Sequence, residues 1–332
     1  MAKPPLDVIG VGNAIVDVLA EADDAFLAAH GVPKGGMILV DEDRAETIHA
    51  AMKPGREVSG GSAANSIACL ASLGGRGGFV GKVAADRLGE AFRRELCALG
   101  VEFSTAPLEG GPGTGRCLIN VTKDAQRSMT TYLGAAGLVS PEDIDVGMVA
   151  RAAITFFEGY LFEQTVARQA FIKACLGAKA AGKRAALTLS DSSCVDRQHE
   201  YLIDFIGAHV DVLLANEREA ETLFQSSDLG VIARKARELC PLTAVTLSEK
   251  GSILIPRGGD VVTIEPVKPP RLVDTTGAGD AYAAGLLFGL ARDFDLKRAG
   301  SLGSLAASEV ISHFGARPEQ SLKALASDAG LL

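Results

Sequence analysis

The sequence has no run of roughly 20 apolar residues of the kind a membrane-spanning helix needs. Its first residues, Met-Ala-Lys-Pro-Pro-Leu-Asp, hold no apolar stretch of signal-peptide length either. Neither sign of charge is gathered in blocks. The net charge of -8 is spread along the chain, which argues against a nucleic-acid groove or an anionic membrane surface as partner. The six cysteines, Cys69, Cys97, Cys117, Cys175, Cys194 and Cys240, form no Cys-x-x-Cys pair and have no histidine nearby at ligand spacing. They read as reduced thiols of a cytoplasmic protein. No Gly-x-x-x-x-Gly-Lys-Ser/Thr occurs, which excludes an ordinary phosphate-binding-loop kinase.

What is present is a composition able to bury a large core, with 47% hydrophobic residues, 22% charged residues and 38 glycines. Short apolar or β-branched runs (Val8-Ile9, Ile154–Phe157, Ala185–Leu189, Val210–Leu214, Ala244–Leu247) alternate with Ala- and Leu-rich stretches. The latter, near 86–99, 165–181, 217–224, 229–239, 280–292 and 297–313, are expected to be helices. This is the pattern of a mainly parallel sheet with crossover helices. In the 280–292 stretch, Ala283, Leu286, Leu287 and Leu290 predict one buried face. Residues about 14–58 and 103–135 break the alternation and read as a small β-layer projecting from the body. No linker separates them, so residues 1–332 are read as one unit with a lid.

The strongest local signal is Asp274-Thr275-Thr276-Gly277-Ala278-Gly279-Asp280, leading directly into a helix. Small residues let the backbone turn tightly, and the free amides of a helix N-terminus favour an anion there. As a capping carboxylate Asp280 needs no ligand. That reading leaves the two glycines around Ala278 unexplained, whereas close approach of a phosphoryl group to the backbone explains them. With a γ-phosphate on the amides, Asp280 is placed to accept the proton of an incoming hydroxyl.

Gly60-Gly61-Ser62-Ala63-Ala64-Asn65 opens another helix. Ser62 is readable as its N-cap, and Asn65, one turn in, offers both a donor and an acceptor to a diol. Gly10-Val11-Gly12-Asn13-Ala14-Ile15-Val16-Asp17 starts like a dinucleotide-binding turn but has Ile15 where the third glycine belongs. Asp17 is instead expected to face a cleft, with a solvated carboxylate as the bland alternative. Asn216-Glu217-Arg218-Glu219 opens a helix after a strand, at the edge where α/β sheets bind ligands; acidic residues in a first turn also have a dipole explanation.

Taken together these residues resemble the ribokinase-like (PfkB) carbohydrate and nucleoside kinases. Asp274–Asp280 is similar to the family's C-terminal signature, Gly60-Gly61-Ser62 with Asn65 to its N-terminal glycine motif, Asn216 with Glu219 to its Asn-x-x-Glu motif, and Gly315-Ala316 to its closing element. The motifs fall in the family's order over nearly the whole chain. The resemblance implies a three-layer α/β/α body with a mainly parallel central sheet, a small β-sheet lid, and ATP along the C-terminal part of the sheet. It implies Asp280 as base, the amides of Gly277, Ala278 and Gly279 as anion hole, and Asn216 and Glu219 organising Mg²⁺ through water. Thr246, Ser248, Gly251, Thr275, Gly315 and Ala316 fall in its ATP region, with Ser248 where many sugar kinases have glycine. Asp274 and Thr276 fall where many members bind a monovalent cation such as K⁺.

Within the family, Asn13, Asp17 and Asn65-Ser66 look more like adenosine kinases than ribokinases or fructokinases. Asp17, Gly61 and Asn65 would hold ribose hydroxyls. Arg127, Met129 and Leu133 resemble a segment in which arginine faces phosphate and apolar side chains sandwich a purine. No aromatic is obvious there, since Tyr160, Leu161 and Phe162 lie near the position without a fixed register. The expected partner is a small nucleoside or sugar, and the chain a monomer or homodimer. A sugar kinase of the same family, a catalytically silent binding module and a dehydrogenase are the other readings.

Overall fold

The computed structural model describes residues 3–124 and 126–332. Met1 and Ala2, at the head of the segment read as lacking a signal peptide, and Ala125, within the span read as lid, lie outside the described residues. In chain order the strands are β1 (Leu6–Val11), β2 (Ile15–Glu21), β3 (Met37–Leu39), β4 (Arg56–Gly60), β5 (Gly77–Val80), β6 (Glu102–Phe103) and β7 (Gly115–Val121). There follow β8 (Arg127–Tyr132), β9 (Ala152–Glu158), β10 (Arg184–Thr188), β11 (Val212–Asn216), β12 (Leu242–Thr246), β13 (Ser252–Pro256) and β14 (Val262–Ile264).

Nine of them form one sheet in the order β14-β13-β12-β11-β10-β9-β1-β5-β6. From β12 across to β6 every pairing is parallel, while β13 and β14 close the edge as antiparallel strands. Alternation along each strand sends side chains to opposite faces. Val8, Ile154, Phe156, Val212 and Leu214 join one core cluster, with Ile67, Leu286 and Leu302 of the helices Ser62–Ser72, Ala278–Ala291 and Leu296–Val310. Ile9, Phe157 and Leu213 join the other, with Phe171, Phe205 and Ile232 of Thr165–Ala180, His199–His209 and Leu229–Leu239. Helices therefore cover both faces of the sheet.

The helix Ala278–Ala291 corrects the expectation of a single buried face, because Ala281 to Leu290 are buried on every side. The cause is close packing against a second helix. A Cβ at Gly289 would stand 2.6 Å from that of Ala299, and one at Gly285 would collide with the backbone of Leu302. The expected strand Val210–Leu214 is displaced to Val212–Asn216, because Val210 caps the preceding helix. Asn216 thereby becomes both the strand's last residue and the N-cap of the helix Glu217–Phe224.

The second sheet has the order β3-β8-β7-β2-β4, drawing its strands from residues 15–60 and 115–132. One face, with Val18 and Leu118, packs on Leu27 and Ile48 of the helices Asp24–Ala29 and Glu42–Ala51. Those helices are an addition to the purely β reading of this region; their signals were the N-cap aspartates Asp23 and Asp41, which accept from Phe26 N and Arg44 N. The other face carries Ile15, Asp17, Ile119 and Met129 into the cavity between the two sheets. Among the described residues no helix is long and apolar enough to cross a membrane.

Candidate active site

A cavity of about 490 Å³ opens at the C-terminal ends of the parallel strands. Chain connectivity puts it there: β1 delivers Asn13, β9 Glu158, β11 Asn216 and β12 Thr246 to the same edge. The helix Ala278–Ala291 enters from the side with Gly277, Ala278, Gly279 and Asp280 in the lining. Opposite, the smaller sheet contributes Ile15, Met37, Leu39, Ile119, Met129 and the adjoining Leu133.

The turn before that helix combines a strained residue with an open one. Gly277 is its N-cap at φ +78, and a Cβ there would meet Ala316 at 2.6 Å. A Cβ at Gly279 would meet no protein atom within 4 Å, so what this glycine keeps clear is cavity space. The expected trio of free amides needs one correction. The Ala278 N–H already donates to Thr275 O at 3.2 Å in the turn, whereas the N–H groups of Gly277 and Gly279 have no partner among the described residues. The amides of Gly277 and Gly279, with that of Asp280 beside them, are the ones free to hold an anion.

Asp280 accepts from Ser62 Oγ at 2.6 Å and from Asn65 Nδ2 at 3.4 Å. Burial pushes its carboxyl up to about 6, and the hydrogen bonds from Ser62 and Asn65 oppose that rise. Ser62 is thus not the N-cap it resembled. Gly61, at φ +93, occupies that place without a side-chain cap, and its own Cβ would collide with Asn13 O. The freed hydroxyl of Ser62 serves Asp280. Gly60 lacks a side chain where Asp17 lies against it. Burial pushes Asp17 up to about 7, with Arg317 and Arg127 opposing the rise and Asp280 adding to it.

The reading of the sequence missed Glu158. It is 0% exposed, and it accepts from Asn13 N at 2.8 Å, Asn13 Nδ2 at 2.5 Å and Ala63 N at 2.8 Å. One carboxylate thus ties the β1–β2 turn to the first turn of the helix Ser62–Ser72, and Gly12 has no side chain because Glu158 fills that space. Burial pushes Glu158 up to about 7 against those three hydrogen bonds. The available signal was an acidic residue ending the apolar run 154–157, just before Gly159. Arg317, next to the quoted Gly315-Ala316, was missed as well; it donates to Asn65 Oδ1 at 3.2 Å.

Asn216 and Glu219 form a reciprocal capping box, with Asn216 Nδ2 to Glu219 Oε1 at 2.7 Å and Glu219 N to Asn216 Oδ1 at 2.8 Å. Burial pushes Glu219 up to about 7, and Asp191 and Asp280 add to the rise. Among the described residues no three His, Cys, Asp or Glu side chains gather as a direct metal cage, and Asn216 and Glu219 line the cavity as polar groups suited to a hard cation that keeps its water shell, such as Mg²⁺. The monovalent-cation position does not fit. Asp274 is ion-paired with Arg127 and accepts from Gly315 N at 2.9 Å and Thr276 N at 3.1 Å, so donors already surround its carboxylate. Arg127, expected to face phosphate, is therefore occupied with Asp274.

Of the remaining nominated residues, Thr246 and Thr275 line the cavity. Ser248 and Gly251 lie outside its lining, in the turn between β12 and β13, where Leu247 N donates to Gly251 O at 2.8 Å. Ser248 has φ +54, the left-handed conformation that glycine adopts without strain, which accounts for glycine's suitability there. Of Tyr160, Leu161 and Phe162, Tyr160 lines the cavity, while Leu161 and Phe162 are buried in the core.

Residues 36–322 match the pfkB family carbohydrate kinases. The chain belongs to that family. As a pfkB kinase it is a phosphotransferase with an alcohol group as acceptor, and its fold is ribokinase-like. It is 28% identical to the adenosine kinase of Saccharomyces cerevisiae over 328 residues, covering 93% of this chain and 95% of that one. The solved adenosine kinase from Sinorhizobium meliloti is 45% identical at a TM-score of 0.92, with 98% of this chain and 99% of that one covered. A probable sugar kinase from Rhizobium etli is 40% identical at a TM-score of 0.93, covering 99% and 100%. These relatives carry both nucleoside and sugar names.

Proposed function

We propose that this pfkB kinase transfers the γ-phosphate of ATP to the 5′-hydroxyl of a nucleoside, with adenosine the first candidate and AMP the product. The observation that carries the reading is the polarity of the cavity. Its smaller-sheet wall presents Ile15, Met37, Leu39, Ile119, Met129 and Leu133, broken by Asp17, Cys117 and Thr131, while Ser62 and Asn65 converge on Asp280. A planar base matches an apolar slot, whereas a free sugar there would leave hydroxyls unpaired.

Asp17, Gly61 and Asn65 then hold the ribose, with Asn13 in the cavity lining and Gly60 leaving room for the Asp17 carboxylate. The free amides of Gly277 and Gly279 receive the γ-phosphate. As the hydroxyl oxygen bonds to phosphorus and the bond to ADP breaks, the hydroxyl proton passes to the Asp280 carboxylate. Asn216 and Glu219 would hold Mg²⁺ through water, and the chemistry so supplied would be neutralisation of phosphate charge. No role falls to a monovalent cation.

One observation favours a sugar kinase as the second reading. Leu161 and Phe162 are locked in the core, so Tyr160 alone among those three offers the slot an aromatic ring. A coupled ATPase screen of adenosine, inosine, guanosine, ribose and fructose separates the two. Preference for adenosine is expected, and preference for a free sugar overturns the nucleoside reading.

A further inference from the structure

Three segments distant in sequence meet at the Asp280 carboxylate. Ser62 Oγ and Asn65 Nδ2 donate to it, and Asn65 in turn accepts from Arg317 Nε at 3.2 Å. An asparagine amide has one accepting end and one donating end, while a guanidinium only donates. With Arg317 against Oδ1, the nitrogen is the end that faces Asp280. The flipped amide would set its NH₂ against the guanidinium and its oxygen against the carboxylate, both repulsive. Asn65 is only 5% exposed, so water is poorly placed to correct such an arrangement.

The segment carrying Arg317 is fastened to the catalytic turn. Gly315 N donates to Asp274, and Ala316 packs where a side chain of Gly277 would stand. Arg317 itself is an expensive residue to keep. Burial lowers its hold on its proton, and its Nη2 has no hydrogen-bond partner among the described residues. A buried guanidinium with an orphaned donor is weak as a stabilising device, which directs attention to what its paired nitrogen does.

We propose that Arg317 is a positioning residue for phosphoryl transfer, holding the Asn65 amide with its nitrogen toward Asp280 and so keeping that carboxylate ionised and oriented. The proposal rests on Asp280 being the base. The titratable groups that feel Asp280 are Asp17 from β2, Glu158 from β9, Glu219 from the helix Glu217–Phe224, Tyr160 and Cys69. Arg317 and Arg127 are the cations acting on Asp17 in this set. Burial favours protonation of Asp280 and the hydrogen bonds from Ser62 and Asn65 oppose it, so a donor fixed on Asp280 matters.

The test is the pH profile of kcat for the wild type, Arg317→Met, Arg317→Lys, Asn65→Ala and the double variant Asn65→Ala/Arg317→Met, with KM for ATP measured alongside. The wild-type acid limb is expected near the Asp280 value of about 6. Arg317→Met moves it upward by about 0.5–1 unit with KM for ATP changed less than about twofold, and Arg317→Lys recovers most of the shift. Asn65→Ala moves the limb the same way, and adding Arg317→Met moves it no further, because the effect passes through Asn65. A limb left in place by Arg317→Met, or equal and additive shifts in the double variant, overturns the proposal. Should Arg317→Met fail to fold, Arg317→Leu, which likewise removes the donor, makes the same comparison. A wild type with no acid limb near pH 6 defeats the reading of Asp280 as base, whereas a wild-type limb indifferent to Arg317 defeats only the role of Arg317.

Discussion

Ser62 Oγ lies 2.6 Å from Asp280 Oδ1, joining the first turns of two helices whose residues are 218 apart in sequence. The bond favours the ionised carboxylate and so opposes the upward push of burial. Removing it in Ser62→Ala raises the Asp280 value further above about 6, and the acid limb of kcat moves to higher pH, by about one unit for a hydrogen bond to a charged group. Turnover therefore falls more at pH 5.5 than at pH 8. Equal losses at both pH values contradict this.

Gly277 and Gly279 are separated by one residue and predict opposite outcomes. Gly277→Ala forces a side chain into the left-handed region and against Ala316, costing about 1–3 kcal/mol in urea unfolding. Gly279→Ala meets no protein atom within 4 Å, so the unfolding midpoint is expected to stay unchanged. Its methyl group enters the cavity, and affinity for ATP measured by calorimetry falls instead.

The two positions also show what could be read before the fold was known. Asp274–Asp280 was legible because a turn, a helix start and an anion site all require the same small residues within a few positions. Strand and helix alternation was legible for the same local reason. Glu158, Arg317 and the true use of Ser62 were not, because each acquires its role from a partner between 95 and 252 residues away. The Arg127–Asp274 pair spans 147 residues, and this long-range pairing displaced the roles their motifs suggested.

Glu158→Ala leaves Asn13 N, Asn13 Nδ2 and Ala63 N without their acceptor inside a buried site. A loss of about 3 kcal/mol or more in denaturant unfolding is expected. A loss below about 1 kcal/mol contradicts the tie between the β1–β2 turn and the helix Ser62–Ser72.

Because Arg127 and two backbone amides already surround the Asp274 carboxylate, turnover is expected to be indifferent to the monovalent cation. Rates in potassium, sodium and tetramethylammonium chloride at equal ionic strength should agree within about twofold, given that general screening is then constant. Strong activation by potassium alone contradicts the assignment.

The central claim is that Asp280 receives the proton of the acceptor hydroxyl beside the free amides of Gly277 and Gly279. The most direct measurement pairs calorimetric ATP binding with steady-state turnover in Asp280→Asn, which keeps the shape of the side chain and removes its basicity. ATP binding within a few-fold of wild type together with turnover lowered by about 10²–10⁴-fold is the predicted result. Turnover within about tenfold of wild type contradicts the assignment of Asp280 as base.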